Sequence, residues 1–201
     1  MELLALALQG TGLQRTDRRE ESILEIALVP VINWHSQGPG SYTSLINPGT
    51  PVPRRSWIPA ALNDAVLANA PSLEEIEPEL AAQIDGRYLV GYNLRSHWRL
   101  LHRRCPRLRP AGLIDTFQLA RAIDPGHRND LSAVIQRLGL SAAVRRQAGT
   151  PRRCLWDAVA SGMLLTSLAL PVFGPDVSIA ELLATAGIPL DETPRPVMLF
   201  A

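Results

Sequence analysis

Apolar positions in this chain come in two patterns, short continuous runs and stripes at helical spacing, and their order predicts a mixed α/β domain. Leu3-Leu4-Ala5-Leu6-Ala7-Leu8 is a continuous apolar run that leads through Gln9 to Gly10-Thr11-Gly12-Leu13. It reads as a buried central strand stopped at a tight turn, where glycine takes backbone angles that other residues resist. The polar stretch from Gln14 to Glu21 is a hairpin loop, Ile23 to Val31 returns as a second strand, and Tyr42 to Ile46 follows a turn over Asn33 to Gly40 as a third. The sheet therefore begins antiparallel. Beyond a rigid loop from Asn47 to Pro53 the spacing becomes helical.

A short helix is expected over Ala60 to Asn69, and Ser72 caps a second, Leu73 to Ile84, with Glu75 completing a capping box. Leu73, Ile76, Leu80 and Ile84 form its apolar face. Pro78 leaves two readings open there, one continuous helix or a short first turn with a fresh start near the proline. Then come a strand from Arg87 to Gly91, a helix from Asn93 to Arg103, and a strand ending at Gly112 to Asp115. Thr116 opens a helix, Asp130 or Asn129 caps another through Leu138, and Leu155 to Leu168 is a long apolar one. Strands in sequence followed by strands alternating with helices predict an α/β sheet of mixed direction. Residues 1–170 are expected to form the domain. Residues 171–201, with five prolines around a short helix from Ile179 to Ala186 that Gly187 ends, read as an appendage.

Composition narrows the class. The chain has 201 residues, 46% of them hydrophobic, and a formal charge of +1, so a global basic field of the kind that drives non-specific nucleic-acid binding is absent. All 20 basic residues are arginine. Arg95, Arg99 and Arg103 share one helical face beside Trp98, which reads as a solvated face or as a phosphate-tracking surface. Cys105 and Cys154 lack zinc spacing, and His35, His102 and His127 have no partners at metal spacing. The apolar N-terminus lacks the marks of a signal, and no run approaches a membrane span of about 20 apolar residues. A cytoplasmic protein with no membrane partner is expected.

Candidate chemistry lies at the end of the first strand. Ala7 and Gln9 point the same way, toward the cleft that the strand's end would open onto. Two carboxylates there could hold a metal ion between them. Neither residue is one.

The phrases Gly10-Thr11-Gly12-Leu13, Leu45-Ile46-Asn47-Pro48-Gly49, Ala70-Pro71-Ser72, Leu89-Val90-Gly91-Tyr92-Asn93 and Ile114-Asp115-Thr116-Phe117-Gln118-Leu119-Ala120-Arg121 occur in that order. Over roughly residues 3–170 the chain thereby resembles the DEDDh 3′-to-5′ exonucleases, a family that includes the proofreading epsilon subunit of DNA polymerase III and ribonuclease T. The resemblance implies a ribonuclease H-like fold and phosphodiester cleavage by two divalent cations held on four carboxylates, with a histidine as general base. The first family motif, Asp-x-Glu-Thr-Thr-Gly, has its acids at Ala7 and Gln9. The second places its acid at His97, after Tyr92 and Asn93, and the third places its histidine at Arg152 and its acid at Asp157. Three of the four acids and the base are replaced.

Carboxylates supply magnesium with both its oxygens and its neutralising charge, so this donor set implies no metal cofactor. The expectation is a catalytically inactive family member that binds single-stranded nucleic acid or a replication or repair protein. Thr11, Tyr92, Asn93, Arg152 and Arg153 are its candidate nucleic-acid contacts. Arg152 is expected to neutralise Asp157, with Arg152 and Arg153 otherwise available as phosphate donors. The alternative is an active exonuclease using magnesium or manganese in a rearranged site. The tail Pro196-Val197-Met198-Leu199-Phe200 faintly resembles a clamp-binding peptide without its glutamine.

Overall fold

The computed structural model describes residues 2–12, 21–36, 40–123, 130–149 and 153–190. Its centre is strand β1 (Glu2–Gly10), which pairs antiparallel with β2 (Ile23–Ile32) in a register that sets Ala7 against Ala27 and Gln9 against Glu25. The far edge of β2 carries β3 (His35–Ser36) at one end and β4 (Tyr42–Leu45) at the other, both antiparallel. On its other side β1 runs parallel to β5 (Tyr88–Gly91), which runs parallel to β6 (Gly112–Asp115), and β7 (Gly187–Ile188) closes that edge antiparallel. The seven described strands form one mixed sheet. This is the α/β architecture that the pattern predicts.

Alternation along β1 sorts the two faces. Leu4, Leu6 and Leu8 pack with α2 (Leu73–Ile84) and α3 (Leu94–Arg104), while Leu3, Ala5 and Ala7 pack with α7 (Cys154–Phe173). α7 approaches the sheet closely at Gly162, where an added Cβ would stand 2.9 Å from Val31 Cγ2. α4 (Thr116–Ile123), α5 (Leu131–Arg137), α6 (Ser141–Ala148) and α8 (Ile179–Ala186) complete that layer.

Several local expectations change. The helix expected over Ala60 to Asn69 shrinks to α1 (Asp64–Leu67), because Asn63 is extended and uses its side chain to cap Val66 N. α2 is one continuous helix with Pro78 inside it, and the Ser72–Glu75 capping box is formed. Asp130, not the undescribed Asn129, caps α5. β3, α6 and β7 have no counterpart in the pattern. α7 runs past residue 170 through Pro171 to Phe173, α8 packs on α4 and β6, and β7 pairs with β6, so these elements lie on the same sheet. The clamp-like tail and most of the Gln14 to Glu21 loop lie outside the described residues.

α7 also corrects the statement that no run approaches a membrane span. It is 20 residues long with a mean hydropathy of 1.4, sufficient in length and composition to cross a bilayer. In this fold it is a core helix, packed on β1, β2, β3 and β5.

Candidate functional site

The end of β1 opens onto a cleft of about 250 Å³ whose polar wall is Gln9, Glu25, Arg153 and Asp157, with Trp57 and Pro59 facing them. Gly10-Thr11-Gly12 makes the turn at its rim. Gly12 has φ +74°, and a Cβ there would meet the Trp57 indole at 3.0 Å, so the turn needs glycine both for its backbone angle and for the stacked tryptophan.

Of the five positions that the resemblance singles out, three lie at or beneath this cleft. Ala7 is buried and belongs to the α7-side core. Gln9 lines the cleft and donates from Nε2 to the Gly10 carbonyl at 2.8 Å. Asp157, in the first turn of α7, faces it from the other side. His97 is not among the lining residues: it sits on α3, where burial pushes its imidazole down to about 4 and Nδ1 is enclosed with no hydrogen-bond partner. Arg152 lies outside the described residues, so its expected pairing with Asp157 does too.

The residue that the sequence reading missed is Glu25. As the cross-strand partner of Gln9 it projects from β2 toward α7, and only 5% of its side chain is exposed. Arg153 grips it: Nε donates to Oε1 at 2.9 Å and to Oε2 at 3.1 Å, and Nη2 lies 2.7 Å from Oε1. The Cys154 amide also reaches Oε2 at 3.5 Å. Arg153 occupies the N-cap position of α7 without a capping side-chain bond, so Glu25 supplies from the neighbouring strand the negative charge that a helix start favours. A lone charge within an otherwise apolar strand was the available signal, together with the register that a β1–β2 hairpin implies.

The other candidates have structural partners. Thr11 Oγ1 accepts from Ser22 N at 3.0 Å, which ties the hairpin ends together. Tyr92 N donates to Ser161 Oγ at 3.1 Å, and Ser161 Oγ donates to the Asp157 carbonyl at 2.7 Å, which links β5 to α7 one turn beyond the cleft. The Tyr92 ring meets Phe117 edge-on at 5.5 Å, and burial pushes its hydroxyl up to about 12. Asn93 starts α3 at φ +55°, its amide donating to Asp115 Oδ1 at 2.9 Å. Arg95, Arg99 and Arg103 are exposed on α3, with Trp98 buried and its Nε1 donating to the Leu190 carbonyl. Both cysteines are free and buried, and burial raises both thiols, so neither is poised as a nucleophile.

The donor set does not fit two magnesium ions. Among the described residues no three His, Cys, Asp or Glu side chains converge on a metal position. Glu25 is already neutralised by Arg153, and the remaining acid, Asp157, is pushed up to about 7 by burial and then by the charge of Glu25.

That shift sets a pH dependence. Between the ordinary value of 3.8 and about 7 the folded chain keeps a proton on Asp157 that the unfolded chain has released, so this group's contribution to stability declines as pH rises through that window. Asp157→Asn removes the decline. In chelator its melting temperature relative to the natural chain is expected to climb from about pH 4.5 to about pH 8. A constant difference would mean that Asp157 titrates normally.

No protein-family model matches the chain. A DNA polymerase III subunit epsilon from Pasteurella multocida is 25% identical over 187 residues, covering 89% of this chain and 70% of that protein. Among solved structures, Exonuclease X in complex with 5′-overhanging duplex DNA superposes with a TM-score of 0.66 at 20% identity, over 90% of this chain and 96% of that one. The nuclease domain of 3′hExo, a DEDDh family member bound to rAMP, gives 0.64 at 10% identity, over 86% and 94%. The chain is thus similar in sequence to DNA polymerase III epsilon subunits and shares its fold with solved 3′-to-5′ exonucleases of the DEDDh type.

Proposed function

We propose that this chain is a non-catalytic member of the DEDDh exonuclease superfamily that acts by binding nucleic acid or a protein partner, without a metal cofactor. The observation that carries the reading is the replacement of the first-motif acids by Ala7 and Gln9 beside a carboxylate, Glu25, already bound to Arg153. The epsilon-type relative and the DNA- and rAMP-bound neighbours support nucleic acid or a replication or repair protein as the partner class. Among the described residues of the cleft Glu25 and Arg153 cancel in charge and Asp157 adds no positive field, so this part of the lining offers no net attraction to phosphate. This favours a protein partner at the cleft and leaves nucleic acid to the exposed arginines of α3. The cytoplasm is the proposed location.

The test is incubation of the purified chain with end-labelled single-stranded DNA and RNA in magnesium and in manganese. No release of nucleotides is expected. Release that is abolished by chelator and by Asp157→Ala would establish the alternative, an active exonuclease with a rearranged metal site. Among the described residues, Glu25 and Asp157 lining the same cleft favour that alternative.

A further inference from the structure

We propose that Arg153 is the resident cation of this cleft, holding by its guanidinium the charge position a divalent metal would take, so that removing it turns Glu25 and Asp157 into a cation site. The inference rests on the non-catalytic reading above and extends it by naming what replaced the metal. Glu25 is a carboxylate with 5% of its side chain exposed, and a buried charge persists only with a counter-charge and hydrogen bonds. Arg153 provides both, through three N···O contacts between 2.7 and 3.1 Å. It reaches Glu25 from the cleft, its own side chain 40% exposed, and so stands between that carboxylate and anything entering.

The oxygens behind it are of the right kind for a hard cation. Asp157 lies one turn along α7 from Arg153, its amide bonded to the Arg153 carbonyl at 3.1 Å, and its side chain lines the same cleft. Gln9, opposite Glu25 in the β1–β2 register, adds a neutral amide oxygen. Two carboxylates and an amide, with water completing the shell, suit one divalent ion of the manganese or magnesium type and fall short of the family's pair. With the guanidinium in place Glu25 is already neutralised and its oxygens are engaged, so a metal would find only the Asp157 carboxylate uncompensated.

Melting curves in chelator and in millimolar manganese test this on the whole chain, comparing the natural protein, Arg153→Met, and Arg153→Met combined with Glu25→Gln. The natural chain is expected to melt identically in both buffers. Arg153→Met should melt about 6–10 °C lower in chelator and recover at least half of that loss in manganese. The double variant should show no metal response. The inference is overturned if Arg153→Met ignores manganese, if it fails to fold in both buffers, if the double variant still responds, or if manganese stabilises the natural chain as strongly as Arg153→Met. Nucleotide release by the natural chain is a separate result that bears on the non-catalytic reading, so the two proposals fail independently.

Discussion

The Ala7→Asp/Gln9→Glu variant, which restores the first family motif, is expected to release no nucleotides in magnesium and to melt about 10–20 °C below the natural chain in chelator, a loss of about 5 kcal/mol. Ala7 is 2% exposed in a layer of small side chains against which α7 is packed. A carboxylate placed there must be desolvated, and its extra atoms must push apart a helix and a sheet already in close contact. The second change sets a new negative charge directly across the strand pair from Glu25, where like charges repel. Arg153 can neutralise one carboxylate, not the cluster of Glu25, Asp157 and the two added groups.

On the proposed reading activity is expected to stay absent, because the motif is necessary without being sufficient: His97 lies outside the cleft lining, and the resemblance puts an arginine, Arg152, where the family has its general base. Restoration takes at least His97→Asp and Arg152→His in addition. That fourfold variant should be less stable than the natural chain in chelator and regain stability with manganese. A double variant that melts with the natural chain would show that Ala7 does not lie under α7 as described. Nucleotide release from it would place the catalytic centre elsewhere.

How much of this was legible in the chain follows from which interactions are local. β1, β2, β5 and β6 announce themselves as apolar runs because strands buried on both faces need no polar alternation. α2 announces its start through Ser72–Glu75, a hydrogen-bonded box closed within one turn, whereas the like box at Ser178–Glu181 of α8 went unread although it is equally local. β3 and β7 were invisible because each is a two-residue ladder whose existence depends on a distant partner; Gly187 reads only as a helix end until Ile114 lies beside it. The site divides the same way. That positions 7 and 9 carry no acid is a property of the residues and is readable from them. The ion pair between Glu25 and Arg153 joins residues 128 apart in the chain, and only the packing of α7 across β2 brings them together. Arg153 was thus marked as a cation available for phosphate when its Nε and Nη2 are engaged by a carboxylate.

Asp115→Ala should cost about 3 kcal/mol, a fall in melting temperature of about 6–12 °C, whereas Asp115→Asn should cost about 1 kcal/mol or less. The contrast comes from one oxygen. Asp115 ends β6 at 1% exposure, and its Oδ1 accepts both the Asn93 amide and the Phe117 amide at 2.9 Å, so a single atom caps the start of α3 from the adjacent strand and the start of α4 from its own. Oδ2 takes a longer bond from Arg95 N at 3.5 Å, and the Leu94 backbone adds a further bond to the carboxylate. Asn93 makes no side-chain capping bond for α3, so nothing replaces the carboxylate when it is truncated, and partly buried N–H groups at two helix starts lose their acceptor. Asparagine keeps the shared oxygen and gives up mainly the charge, whose burial already pushes the Asp115 carboxyl above its usual range. Denaturant unfolding of the two variants decides between acceptor geometry and charge: equal losses would mean that the negative charge at the paired helix starts is what matters. Loosening in the alanine variant should extend to the cleft, because Tyr92, between Gly91 and Asn93, carries the amide bond to Ser161 that ties β5 to α7 one turn from Asp157.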